Sequence, residues 1–405
     1  MDEDILERES YTAAIVPRMG NGNANVITGI RRCGKSSQMK ALRRRLSDHN
    51  CIYIDMELAR NAELRDWRKL LEYVEGCIEE GRENAVFIDE IQDVPQWELA
   101  VRDIVARGLC KVFVTGSNAN LLSSEYATYL GGRVNTTRML PLTYRECLAF
   151  RERFGGEGDV LERFIRLGGF PIVWKYPKSD DDALLEIGDI VRAVALKDVL
   201  GRSPGCSADV LDRVLRTVLS TVGKYSSGTK IFDTLVSSGM RVSAPTVYSV
   251  LDRLEAANIV IKAHKYDVRG RRCLTTKYKY YAADLGICHA MLGYDPERMP
   301  AYLENAIFTE LLSRGFDVYV GDAGGREVDF VARRSGRTVY VQACTGFGSE
   351  ETARRELGAL EAVGDSFPKY VVMPDPGLYA GVTEKGIRIV GLREFLTSEL
   401  RRAFD

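Results

Sequence analysis

Histidine is scarce in this chain: of 405 residues only His49, His264 and His289 are histidines, and they stand far apart. A histidine-built metal centre or catalytic triad has little material to work with. The nine cysteines include no Cys-x-x-Cys pair, which argues against a disulfide framework and a zinc knuckle and predicts a reducing, cytoplasmic setting. No uninterrupted apolar run reaches the ~18 residues of a membrane-spanning helix. The opening MDEDILERES is acidic and leads into no apolar core, so neither secretion nor membrane insertion is expected. Net charge is lacking as well. With 56 Lys and Arg against 57 Asp and Glu, the formal charge is −1, and any affinity for nucleic acid or acidic membrane has to come from a local patch.

What is present is an ordinary globular composition, 45% hydrophobic and 28% charged, on a chain long enough for two or three domains. From about residue 20 to residue 140 the apolar runs ANVITG, CIYID, AVFIDE and KVFVTG alternate with helical patterns, which predicts a mostly parallel sheet covered on both faces. Helical patterns then take over in YRECLAF, VLERFIRLGGFP and LLEIGDIVRAVALKDVL, up to a linker at Ser203–Ser207. Beyond it three helical segments precede a basic, β-prone stretch, the order of a winged helix, with Ser243 placed to cap the third. The last segment returns to a mixed pattern, a helix over Tyr302–Ser313 and then the strand-like VYVGD, EVDFVARR and TVYVQAC. The expected organisation is an α/β P-loop NTPase domain over 1–145, a helical extension over 146–203, a winged-helix domain over 204–295 and an α/β nuclease-like domain over 296–405.

The stretch from Gly29 through Ile30, Arg31, Arg32 and Cys33 to Gly34, Lys35 and Ser36 fits G-x-x-x-x-G-K-[ST], after a strand and at the start of a helix. Its backbone N–H groups, with that of Ser37, suit phosphates; Lys35 reaches the β- and γ-phosphates, and the Ser36 hydroxyl is a ligand for Mg²⁺. AVFIDE ends a buried strand in Asp89 and Glu90, where α/β sheets place ligands. Asp89 would hold the Mg²⁺ shell through water, and Glu90 would polarise the attacking water. The next strand ends in Ser117 and Asn118. Cys33 admits two readings: a thiol activated by the positive loop, or a small inert residue filling a tight turn.

The phosphate loop, FIDEIQDVPQWE, VFVTGSNANLL, GGRV and LPLTYRE, followed by GGFP, YYAADLG and LENAIFTEL, in this order and spacing, resemble the prokaryotic AAA-type ATPases whose C-terminal region is similar to a nuclease fold. The resemblance spans nearly the whole chain and is more specific in the ATPase half. It implies ATP rather than GTP, Ser117 as polar sensor with Asn118 as alternate, and Arg133 of GGRV as a charge-stabilising arginine, in cis or from a neighbouring subunit of an oligomer.

Two further segments carry expectations. KAHKYDVRGRRCLTTKYK holds Lys262, Lys265, Arg269, Arg271, Arg272, Lys277 and Lys279 against the single acid Asp267. It reads as a wing that grips duplex DNA phosphates, or as a solvated hairpin, or as a contact to the ATPase domain or a protein client. In the C-terminal segment Glu304, Asp329 and then a strand follow the order of a PD-(D/E)xK nuclease, but Gln342 and Cys344 stand where an acid and a lysine belong. An inactive framework is expected, with Glu327 in partial compensation. The whole reads as a Mg²⁺-dependent ATPase driving a conformational change, with an ATP-switched DNA-binding regulator and a DNA-processing or defence protein with residual nuclease activity as alternatives.

Overall fold

A computed structural model describes residues 5–122, 128–176, 178–202 and 206–397. Of the expected linker, Ser203, Pro204 and Gly205 lie outside the described residues. The backbone divides into two compact units, one running to Leu140 and taking in Ala256–Asn258, the other comprising Pro141–Glu255 and Ile259 onward. The first boundary falls at Leu140 rather than at 145 because Thr143 already starts a helix of the second unit: its side chain accepts from the Glu146 N–H, and the Glu146 carboxylate accepts from the Thr143 N–H.

The first unit is built on five parallel strands, β1 (Ala24–Thr28), β2 (Asn50–Asp55), β3 (Asn84–Asp89), β4 (Lys111–Gly116) and β5 (Val134–Arg138), in the order β2-β3-β4-β1-β5. β1 and β3 are buried along their whole length. Apolar residues on both faces of these strands are what helices on both sides of a parallel sheet require. Phe87 and Phe113, on the neighbouring β3 and β4, stack with centroids 4.6 Å apart. Since all five strands run the same way, the residues that follow β1, β3 and β4 emerge at one edge, where an open α/β sheet binds ligands.

The second unit opens with the expected helices, among them Tyr144–Phe154, Val160–Leu167 and Asp180–Val194. Three more follow, Ala208–Ser220, Gly228–Ser237 and Ala244–Ala256, with the Ser243 hydroxyl accepting from the Thr246 N–H at 3.3 Å. The strands are β6 (Tyr225–Ser226), β7 (Val260–Asp267), β8 (Arg272–Ala282), β9 (Asp317–Asp322), β10 (Glu327–Arg334), β11 (Arg337–Ala343), β12 (Lys369–Met373), β13 (Gly381–Val382) and β14 (Ile387–Gly391). They form one sheet, β13-β14-β12-β11-β10-β9-β7-β8-β6. The β7–β8 hairpin is therefore not a free wing. β7 pairs in parallel with β9, Lys265 opposite Val320, and the sheet runs across the division expected at 295/296.

The GGFP and AADLG segments meet inside this unit. Asp284 caps the helix Leu285–Leu292 by accepting from the Gly286 N–H at 2.8 Å, and its other oxygen accepts from the Gly169 N–H at 2.6 Å. A side chain at Gly168 has no room, because its Cβ would fall 1.8 Å from the Asp284 carboxylate. Burial pushes the Asp284 carboxyl up to about 7, against the two backbone donors that favour its ionised form.

Candidate functional site

β1 delivers the chain into Gly29–Gly34, and the helix Lys35–Arg45 starts directly after it. Gly34 has φ +107° as the N-cap, a conformation that suits glycine, and Arg32 has φ +63°. Left-handed residues in such a loop curl successive N–H groups toward a common point, beside the positive end of the helix. Ile30, Cys33 and Lys35 are buried, Ser36 is half-buried, and Arg32 and Ser37 are exposed.

The Lys35 ammonium donates to the carbonyls of Gly29 at 3.0 Å and Ile30 at 3.3 Å, with Glu90 Oε1 at 3.6 Å. Arg31 pairs with Glu57 at 2.7 Å and lies 3.8 Å from Glu90 Oε2. At the end of β3 the Asp89 carboxylate accepts from Thr115 Oγ1 and, at 3.0 Å, from the Tyr53 hydroxyl. Next to it Glu90 takes φ +56°, its N–H donating to Thr115 Oγ1 at 3.0 Å and its Oε2 accepting from Gln92 Nε2. Ser117 is buried, and its carbonyl accepts from the Asn258 side chain at 3.0 Å. The Asn118 carbonyl accepts from Thr28 Oγ1 at 2.9 Å. The predicted residues Lys35, Asp89 and Glu90 are thus brought together at one sheet edge, with Ser117 on the adjacent strand end.

Two findings bear on readings left open, those of Cys33 and Arg133, and a third, Arg8, was not expected. Cys33 is fully buried with its Sγ 3.5 Å from the Met139 carbonyl, and burial pushes its thiol up, more than Lys35 and Arg8 draw it down. Of the two readings of Cys33, its burial favours the small inert filler over the reactive thiol. Arg133 precedes β5 at the end of the sheet level with Ala24, since Ala24 pairs with Val134. It is a strand's length, roughly 16 Å at ~3.3 Å per residue, from its own phosphate loop, which excludes action in cis. Arg138, which pairs in register with Thr28, is the arginine at the phosphate edge. Arg8 was not predicted at all: it is buried and donates to the carbonyls of Cys33 at 3.1 Å and Leu140 at 2.6 Å, bracing the loop from outside. An isolated arginine ahead of the first strand carries no sequence signal for that role.

Among the described residues no group of three or more His, Cys, Asp and Glu converges on a metal position. Mg²⁺ of the phosphate-borne kind keeps several waters and takes one hydroxyl or carboxylate from the protein. The hydroxyl of half-buried Ser36 and the hydrogen-bonded Asp89 carboxylate are of the right chemistry for it.

The second unit gathers the C-terminal candidates around a lysine that the sequence reading assigned to the basic wing. Lys279 on β8 is buried and pairs with Glu327 at 2.7 Å and Glu304 at 3.3 Å. Tyr281 donates to Glu304 at 3.0 Å. Asp329, buried, accepts from the Ala343 N–H at 2.8 Å, and its own N–H donates to Gln342 Oε1 at 3.2 Å. Gln342 Nε2 donates to Glu356 at 2.8 Å, and buried Cys344 interacts with the Gly346 carbonyl. Burial, then the Glu304 charge, holds the Asp329 carboxyl well above the usual range. Burial depresses the Lys279 ammonium less than Glu304, Asp329 and Glu327 raise it, so its net shift is upward.

The remaining wing cations are partly spent in the same way. Lys262 pairs with Glu255 at 2.7 Å and Lys265 with Asp322 at 2.6 Å. Arg269, Arg271, Arg272 and Lys277 are exposed, Arg272 lying 3.7 Å from Asp267.

Residues 21–148 match the family model of an AAA domain, and residues 158–298 match a domain of unknown function, DUF8612. An uncharacterized protein of Haemophilus influenzae is 29% identical over 407 residues, 98% of this chain and 100% of its own length. One from Methanocaldococcus jannaschii is 28% identical over 355 residues, 83% of this chain and 77% of its own. Among solved structures, the Holliday junction branch migration motor RuvB of Thermotoga maritima aligns with 65% of this chain and 91% of its own, at 16% identity and a TM-score of 0.34. The first unit is an AAA-type P-loop domain by its matched model, parallel sheet and loop. No helix among the described residues is long and apolar enough to cross a membrane.

Proposed function

We propose that this chain binds ATP with Mg²⁺ at Gly29–Ser37 and hydrolyses the β–γ bond, the free energy going into a rearrangement of its domains. The observation that carries this reading is Lys35: a buried ammonium held by two loop carbonyls, 3.6 Å from Glu90 at the edge where the parallel strands end. Neutral carbonyls yield to phosphate oxygens, whose charge-assisted bonds to an ammonium are stronger. Glu90 takes the proton of the attacking water as its oxygen bonds to the γ-phosphorus and the bond to the bridging oxygen of the departing ADP breaks. Ser36 and, through water, Asp89 would hold the Mg²⁺, which when bound offsets charge on the phosphate oxygens. Ser117 serves as the polar sensor. Arg133 is left with a role on the nucleotide of a neighbouring copy.

Duplex DNA is the proposed partner, through a smaller footprint than the seven cations suggested: the exposed Arg269, Arg271, Arg272 and Lys277. The C-terminal framework serves binding rather than cleavage, with Gln342 and Cys344 in place of an acid and a lysine. The test is ATP hydrolysis by the full chain, with and without duplex DNA. The parent should turn over Mg-ATP, and Glu90→Gln should bind nucleotide but turn over at least about 100-fold more slowly. An inactive parent, or a Glu90→Gln variant as fast as the parent, would sink the reading.

A further inference from the structure

We propose that Asn258 is a positioning residue of the nucleotide site: its side-chain amide holds the Ser117 carbonyl and so sets the direction in which the sensor side chain leaves the backbone. The proposal rests on the ATPase reading above, with Ser117 as its polar sensor, and adds to it a residue 141 positions further along the chain. Asn258 follows the helix Ala244–Ala256 and precedes β7. Ala256–Asn258 are nonetheless part of the first unit, whereas Glu255 and Ile259 belong to the second.

The backbone of Asn258 is left-handed, with φ +55°, and the next N–H, that of Ile259, closes the helix end by donating to the Leu254 carbonyl at 3.0 Å. Glycine meets that backbone demand at least as well as asparagine. What glycine cannot supply is the amide: Asn258 Nδ2 donates to the Ser117 carbonyl at 3.0 Å, and both residues are buried. A carbonyl only accepts, so the contact fixes the amide with its nitrogen toward Ser117.

Ser117 stands one residue past the ladder between β4 and β1, whose last pair is Gly116 with Thr28. Its Cα lies between two planar peptides. The one before it belongs to the ladder, and the one after it carries the carbonyl that Asn258 holds; with both planes fixed, the bond from Cα to Cβ has one direction left. The peptide beyond is fixed as well, because the Asn118 carbonyl accepts from Thr28 Oγ1 at 2.9 Å, and Thr28 leads directly into Gly29. On the other side Thr115 Oγ1 accepts from the Glu90 N–H at 3.0 Å. The end of β4 is thus tied to the acids and to the strand that enters the phosphate loop, and Asn258 supplies the one tie to Ser117 itself that comes from outside the sheet. Removing its N–H takes that donor from a buried carbonyl and frees the Ser117–Asn118 peptide to turn.

The experiment is a double-mutant cycle on the full chain: the parent, Ser117→Ala, Asn258→Gly and the double variant, with Asn258→Asp beside them. Each is assayed for steady-state ATP hydrolysis and for binding of a fluorescent ATP analogue. Asn258→Gly keeps the left-handed turn and removes only the amide. It should lower kcat about fivefold, the effect of one buried hydrogen bond, with KM and analogue affinity within about twofold, because the loop is untouched. Asn258→Asp, close in shape but turning a carboxylate toward a carbonyl, should be slower still. A residue that acts through Ser117 has nothing left to position once the hydroxyl is gone, so the double variant should turn over as fast as Ser117→Ala alone. A residue that only closes the helix would leave Asn258→Gly at the parent's rate, and one that loosens the fold in general would multiply its effect with that of Ser117→Ala. Either result in an active parent overturns this proposal alone. Ser117→Ala at the rate of an active parent removes the sensor role and the proposal resting on it, while an inactive parent removes the ATPase reading as well.

Discussion

Each unit buries a lysine beside a glutamate, and the two lysines are satisfied in opposite ways. Lys35 gives its protons to two backbone carbonyls and stands 3.6 Å from Glu90, whereas Lys279 is clamped by Glu327 at 2.7 Å and Glu304 at 3.3 Å. Carbonyls are neutral and can be replaced by a polyanion without leaving a buried charge behind. Carboxylates cannot, because withdrawing the ammonium would strand the half-buried Glu304, with the buried Asp329 carboxyl near it. The first arrangement suits the proposed receptor for phosphates. The second is already neutralised from within.

The sharpest way to break the comparison is to remove each ammonium. Lys35→Ala should abolish measurable binding of a fluorescent ATP analogue, a loss of at least about 100-fold for the charge-assisted contacts to the terminal phosphates, while the unfolding midpoint in urea moves little. Lys279→Met should do the reverse. Breaking a buried pair by deleting one partner costs about 3–5 kcal/mol, read as a lower urea midpoint, with nucleotide affinity unchanged. Adding Glu304→Gln to Lys279→Met should recover part of that loss, because one uncompensated charge goes with it. Equal stability losses at the two lysines would show that the contrast between carbonyl and carboxylate partners does not matter.

The two sites also differ in how far the residues announced them. The phosphate loop was legible because its function is local: glycines, a lysine and a serine must follow one another at fixed spacing between a strand and a helix, and a strand ending in Asp89-Glu90 needs only its own apolar run. The Lys279 cluster is non-local. Residues from β8, β10 and a helix about 25 positions downstream meet there, and nothing in KYKYY tells that Lys279 faces acids while Lys277 faces solvent. The β7–β9 pairing that carries the hairpin into the C-terminal sheet is equally silent, so the basic run read as a free wing. Which of the two roles open to Arg133 its place favours was hidden for a related reason: the sequence puts an arginine next to a strand, but only the parallel register tells which end of the sheet it occupies.

A third buried charge extends the comparison at a smaller scale. Asp284 answers to the backbone N–H groups of Gly169 and Gly286, donors stronger than nothing but weaker than an ammonium, and burial wins, lifting its carboxyl from 3.8 to about 7. A carboxyl raised on folding means that the native state holds a proton which the unfolded chain has released. Its contribution to stability is fully present below the unfolded value, near pH 4, and is lost as pH rises toward 7. Over that window the group should tilt stability downward by at most ~1.4 kcal/mol per pH unit, one proton's worth. Asp284→Asn cannot titrate, so although it will lower stability by turning an amide toward a backbone donor, the slope of its urea midpoint between pH 5 and pH 7 should be flatter than the parent's. A slope identical in the two proteins would mean that the N–H groups of Gly169 and Gly286 suffice to keep Asp284 ionised, placing it with the well-compensated charges rather than opposite them.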